Sequence, residues 1–159
     1  MTRLHERIET ALPLEPTFDF VADFANARLW DPGVVASARL DDGPLDVGAR
    51  YRLEVRMGGR TAPMTYRVSD FDRPNRVVLV GSGSGVDAVD VIQFVPTDDG
   101  TRVEYTADIR LRGLLRLVQP LLRGNFARLA GDAATGMRSA LAQRAVAAGW
   151  SGDDGELKS

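Results

Sequence analysis

The 159-residue sequence contains no cysteine, one histidine and a single lysine. Without thiols it has no disulfide, no thiolate nucleophile and no sulfur ligand for a metal, and this composition suits a cytoplasmic location. With His5 as the only imidazole, a zinc site would have to be built almost wholly from carboxylates, so no metal is expected. Schiff-base chemistry needs a desolvated lysine, and Lys158 sits in a polar C-terminal tail. No run approaches the roughly 20 apolar residues that span a bilayer, so no transmembrane segment is expected. Met1 to Arg7 leads into a charged strand rather than a signal-peptide core. The formal charge of −2 speaks against a nucleic-acid module, whose footprint is basic.

What is present is an ordinary globular mixture, 44% hydrophobic and 26% charged. Of the 20 basic residues all but Lys158 are arginine, which reads as the coding bias of a GC-rich genome. The length suits one domain, expected over residues 1–149, followed by a polar tail over residues 150–159.

Leu4, Glu6, Ile8 and Thr10 alternate with His5, Arg7 and Glu9, the pattern of a first strand, which Pro13 ends. Pro16 suits a first helical turn, and Phe18, Val21, Ala22 and Ala25 recur at helical spacing. A second short helical turn fits before Trp30-Asp31-Pro32-Gly33. From Val34 the period becomes two. Tyr51, Leu53, Val55 and Met57 share a face, the Gly58-Gly59 pair turns the chain, and Ala62, Met64, Tyr66 and Val68 continue that face. Val77–Val80 and Ala88–Val95 are further strands, and the last sets Val103, Tyr105, Ala107, Ile109 and Leu111 against charged neighbours. Hairpin-linked strands with one charged face predict a curved antiparallel sheet of six to seven strands, wet on one side.

Leu111 to about Ala148 reads as a long helix, with Leu114, Leu117, Leu121, Leu122, Phe126, Leu129, Met137 and Leu141 at helical spacing. At about 100° per residue the apolar centre slips by about one residue between Pro120 and Gly124. The expectation is therefore a kink at Pro120–Gly124, with a first segment as lid and a second along the sheet. Sheet and helix together leave room for a ligand cavity.

This order of elements, carried by Ile8–Pro13, Phe18, Ala22-Asp23-Phe24, Trp30-Asp31-Pro32, Gly48–Tyr51, Phe94-Val95-Pro96, Gly100–Val103 and Leu111–Leu115, resembles the START/Bet v 1-like (SRPBCC) superfamily, often called polyketide cyclase/dehydrase-like. The resemblance implies an α+β helix-grip fold, the curved sheet wrapped around the long C-terminal helix and two short helices after the first strand. It also implies a cavity whose occupants range from carried lipids to the substrates of aromatase/cyclases, with Phe24 and Trp30 at its mouth.

Counting by two along its strand puts Asp90 with Ile92 and Phe94. Facing the cavity, that carboxylate would be a general acid or base, or would orient a ligand hydroxyl. On the other readings it bonds a neighbouring arginine or turn amide, or faces water. Tyr51, Tyr66 and Tyr105 fall on the expected concave face, as ligand contacts or as core. With Leu53, Val55, Met64, Leu121, Leu122 and Phe126 they complete the candidate lining. Arg112, Arg116 and Arg123 cluster on the long helix, as a solvated face or a membrane-surface contact. The Gly81–Gly85 repeat lacks the lysine and helix of a phosphate loop. The expected partner is a hydrophobic or amphipathic small molecule, with no organic cofactor and no nucleic acid; a homodimer is compatible. A cyclase- or dehydratase-like enzyme and a membrane-surface or protein interaction module are the alternatives.

Overall fold

The computed structural model describes residues 1–57, 59–83 and 85–149. Gly58 of the expected hairpin, Ser84 of the glycine–serine repeat and the polar tail from Trp150 lie outside the described residues. The strands are β1 (Thr2–Thr10), β2 (Val34–Arg39), β3 (Arg50–Met57), β4 (Arg60–Asp72), β5 (Arg76–Gly83), β6 (Val86–Thr97) and β7 (Gly100–Leu111). They form one antiparallel sheet in the order β1-β7-β6-β5-β4-β3-β2, so every neighbour from β2 to β7 is a hairpin partner and β1 closes onto β7. A bulge where β4 meets β5, between Val68 and Asp70, adds local twist and helps the sheet curl.

Alternation decides what faces inward. Buried Tyr51 and Leu53 on β3 continue into Met64, Tyr66 and Val68 on β4, then Ala88, Asp90, Ile92 and Phe94 on β6. Charged partners occupy the other face, where Arg3 pairs with Asp108 and Arg52 with Glu54. Two short helices follow β1. In α1 (Leu14–Ala22), Thr17 donates to the Pro13 carbonyl at 2.7 Å, and Phe18 packs edge-on against Phe94 and Phe71 at centroid distances of 4.9 and 5.4 Å. A 3-10 turn over Phe24–Asn26 leads to α2 (Ala27–Trp30).

The long helix departs from expectation at its start. Gly113–Leu117 is a separate 3-10 turn, and α3 runs unbroken from Gln119 to Ala147 with Pro120 in its first turn. There Pro120 removes only a donor that would have no intrahelical partner, so α3 is continuous through Pro120–Gly124 and the expected division into a lid and a sheet-bound segment does not fall there. The phase slip came from the leucines. Leu114, Leu117 and Leu121 are 86%, 77% and 80% exposed and do not belong to the buried stripe. That stripe starts instead at a polar residue, Gln119, and continues through Phe126, Ala134, Met137, Leu141 and Ala145. Gln119 accepts from the Leu111 amide at 3.2 Å and donates to the Ile109 carbonyl at 2.9 Å and to Thr2 Oγ1 at 3.1 Å. A fully bonded buried amide thus ties the start of α3 to β7 and β1. Further along, α3 comes so close to α2 that a Cβ on Gly136 would stand 2.1 Å from the Trp30 carbonyl oxygen.

Candidate functional site

Beneath the middle of α3 the inward side chains of β1, β3, β4, β6 and β7 meet the residues after α1. Phe24 is the hub. Its ring lies edge-on to Tyr66 at 5.2 Å and to Trp30 at 6.2 Å, and tilted to Tyr51 at 6.3 Å. Trp30 in turn stands edge-on to Tyr105 at 6.0 Å. Gly81 on β5 makes room for this cluster, because a Cβ there would lie 2.5 Å from the Tyr66 ring. Phe24, Trp30, Tyr51, Tyr66 and Tyr105 thus form one connected aromatic group.

Asp90 supplies the charge. It sits inward on β6, opposite Leu79 on β5 and Ala107 on β7, and is 5% exposed. Among the described residues neither an arginine nor a turn amide bonds it. The Tyr105 hydroxyl, one β-ladder step away, donates to Asp90 Oδ2 at 2.5 Å. Burial pushes the Asp90 carboxyl up to about 7; the Tyr105 hydrogen bond opposes the shift, and the charges of Asp31 and Asp108 add to it. Tyr105 and Tyr66 are both held well above the usual phenol range, first by burial and then by the neighbouring Asp90. Asp31, after α2, is likewise raised by burial, against a 2.8 Å hydrogen bond from the Gly33 amide. Among the described residues three buried side-chain atoms have no hydrogen-bond partner: Nε of Arg102, which instead forms an ion pair with Glu104, and, within this interior, the Trp30 indole N–H and the Tyr51 hydroxyl. Burial, and then the charge of Asp23, raises the Tyr51 phenol.

The expected open cavity is nearly filled. About 40 Å³ remains between β1, β7, Trp30 and α3, lined by Leu4, Glu6, Ile8, Tyr105, Ala107 and the Ala130, Ala133, Ala134 and Met137 face of the helix. A pocket for a drug-sized molecule holds about 300–1,000 Å³. The aromatic rings turn inward onto one another and occupy the rest.

Of the remaining candidates, Leu53, Met64 and Phe126 are buried, and Val55 and Leu122 are partly buried against the core. Leu121 is on the outer side of α3 and lines nothing. Glu6, on the inner face of β1 opposite Tyr105, joins the site although it is no sequence candidate; its alternation with Leu4 and Ile8 is the signal that points it inward. In the sequence Asp31 reads only as part of the Trp30-Asp31-Pro32-Gly33 turn. Among the described residues no group of three or more His, Asp or Glu is placed to hold a metal, and no helix is long and apolar enough to cross a membrane.

A curled seven-stranded antiparallel sheet gripping a C-terminal helix over a buried aromatic and acidic interior is the START-like fold. The family model described as polyketide cyclase / dehydrase and lipid transport matches residues 1–145, and the chain belongs to that family. Among solved structures it is similar to the Zhui aromatase/cyclase from a Streptomyces species, with 18% identity over 94% of this chain and 98% of that one and a TM-score of 0.73. A START superfamily protein from Mycobacterium smegmatis gives 19% identity, coverage of 93% and 99%, and a TM-score of 0.69. The Thermus thermophilus protein TTHA0849 gives 19%, 92% and 97%, and 0.70. At these identities the likeness establishes the fold. No curated protein matches the chain in sequence.

Proposed function

We propose that this protein binds a hydrophobic or amphipathic small molecule of lipid, quinone or polyketide type between the sheet and α3, in the cytoplasm. The observation that carries the reading is the buried Asp90–Tyr105 hydrogen bond inside an otherwise aromatic interior. Buried polar groups are costly unless they are bonded, and here two donors, Trp30 Nε1 and the Tyr51 hydroxyl, have no partner. A flat apolar ligand with acceptor oxygens would stack among the rings and take up those donors, while a ligand hydroxyl would bond to Asp90. With only about 40 Å³ free, entry requires α3 or Trp30 to move, and the alanine-rich stretch of α3 offers few large side chains to disengage.

Native mass spectrometry of the full chain purified from its own host tests this reading. A co-purifying apolar mass that is lost in Trp30→Ala is the expected result. A protein that carries no adduct, and whose tryptophan emission is unchanged by added quinones or fatty acids, would defeat it.

A second reading is favoured by the position of Asp90 near neutrality. In a cyclase- or dehydratase-like reaction, the Asp90 carboxylate would take a proton from the carbon beside a ketone. As the acid it would return that proton to a departing hydroxyl, which leaves as water, while the cavity walls hold the reacting chain in place. Asp90→Asn should then lower turnover by about 10²-fold or more with little change in ligand affinity. Equal turnover would take Asp90 out of the chemistry.

A further inference from the structure

The stretch between Asp108 and Asp132 contains no acidic residue and holds Arg110, Arg112, Arg116, Arg123 and Arg128, in a chain whose formal charge is −2. Arg112 is engaged by Asp87 at 3.3 Å and by the Gly83 carbonyl at 2.8 Å. Arg110, Arg116 and Arg123 take part in no ion pair among the described residues. They line one surface groove of about 290 Å³ at the start of α3. Interleaved with them are Leu114, Leu117 and Leu121, each more than three-quarters exposed, and Leu115 and Val118, less so. Isolated exposed leucines are ordinary, but this many within eight residues form a patch that needs a partner.

We propose that this leucine–arginine edge docks the protein on an anionic lipid bilayer. Lipid phosphates would meet the guanidiniums of Arg110, Arg116 and Arg123 in the groove, and Leu114, Leu117 and Leu121 would enter the boundary between headgroups and acyl chains. Charge complementarity selects this occupant, because the groove is lined by Arg110, Arg116 and Arg123 and by no acidic side chain. Its composition separates a bilayer from a protein partner. Protein interfaces concentrate binding energy in Trp, Tyr and Arg, and here the exposed apolar groups are all aliphatic. The neighbouring Gln119, the natural hydrogen-bonding side chain of the segment, is already committed inward. The surface is independent of the Asp90 interior, so failure of either reading leaves the other standing.

The test is co-sedimentation of the full chain with phosphatidylcholine vesicles, with and without phosphatidylglycerol. Wild-type protein should pellet only with phosphatidylglycerol, and less as salt rises. Arg116→Ala combined with Arg123→Ala should weaken binding about thirtyfold, from two charges each worth about a fivefold factor at an anionic surface. Leu114→Ser combined with Leu117→Ser should abolish the binding that survives at high salt. All four side chains are exposed, so unchanged melting temperatures confirm that the variants fold. Absence of pelleting with phosphatidylglycerol, or equal pelleting of wild type and both variants, overturns the proposal. So does a dimer, seen by analytical ultracentrifugation without vesicle binding, that the leucine substitutions dissociate.

Discussion

The two halves of α3 have similar sequence and opposite surroundings. The first half shows water Leu121 and Leu129, at 80% and 42% exposure, and an unobstructed Gly124; the second buries Met137, Leu141 and Ala145 and presses Gly136 against the Trp30 backbone. Both halves carry apolar residues at helical spacing. What separates them is whether another element lies beneath a given face: in the first half only Gln119 and Phe126 are buried, whereas the second half meets α2 at Gly136 and buries Ala134, Met137, Leu141 and Ala145. Apolar periodicity therefore marks a helix without saying which leucines are core.

The largest expected effect lies under the buried half and is a pH dependence. Asp90 sits at about 7 in the folded protein against the ordinary value near 4 in the unfolded chain. A raised carboxyl contributes its full stability below pH 4 and loses it progressively as pH rises through 7, by about 4 kcal/mol for a carboxyl moved from near 4 to about 7. Asp31 adds in the same direction, whereas Asp19 and Asp108, lowered chiefly by hydrogen bonds from Arg73 and Arg3, act oppositely at acid pH. The clean measurement is therefore the difference between wild type and Asp90→Asn in chemical denaturation from pH 4 to 8. Asp90→Asn should flatten the fall. Parallel curves would mean that water reaches Asp90 and the roof of α3 is not closed.

Next in size is the pair Leu141→Ala and Leu121→Ala. The first empties a fully buried position and should cost about 2–5 kcal/mol; the second removes an exposed side chain and should stay within about 0.5 kcal/mol. Comparable losses in urea melts would show that the first half is covered in solution.

The two glycines sharpen the contrast further. Gly136→Ala gains about 1 kcal/mol in helix propensity but drives a methyl to 2.1 Å from the Trp30 carbonyl oxygen, an overpacking cost at the upper end of about 1–3 kcal/mol, so a net loss of up to about 2 kcal/mol is expected. At Gly124 nothing lies within 4 Å of the added Cβ, so Gly124→Ala should stabilise by about 0.4–1 kcal/mol. Thermal shifts of opposite sign are the expected outcome. A stabilising Gly136→Ala would mean that α2 and α3 pack less closely than described.

A further effect concerns the tie between the start of α3 and the sheet. Gln119→Glu keeps the shape but replaces the donor to Thr2 and the Ile109 carbonyl with an acceptor, and should cost about 1–3 kcal/mol at neutral pH, recovering as the acid is protonated. A pH-independent loss would assign the effect to packing.

Residue patterns alone placed the strands and grouped Asp90 with Ile92 and Phe94, because side chains in a strand alternate whatever the sheet packs against, but they left open whether that group faces the helix or water. They brought Tyr51, Tyr66 and Tyr105 to one concave face for the same reason. They misplaced the start of α3, since a buried glutamine at its first turn breaks the rule that core positions are apolar, and only its bonds to Thr2, Ile109 and Leu111 explain why it is there. That Tyr105, rather than an arginine, holds Asp90, and that the aromatic rings leave about 40 Å³ instead of an open cavity, were decided by the tertiary structure. Which strand carries which side chain inward is a local consequence of backbone geometry. Which of those side chains touch, and how much space they leave, depends on sheet curvature and helix height, distances set jointly by residues far apart in the chain.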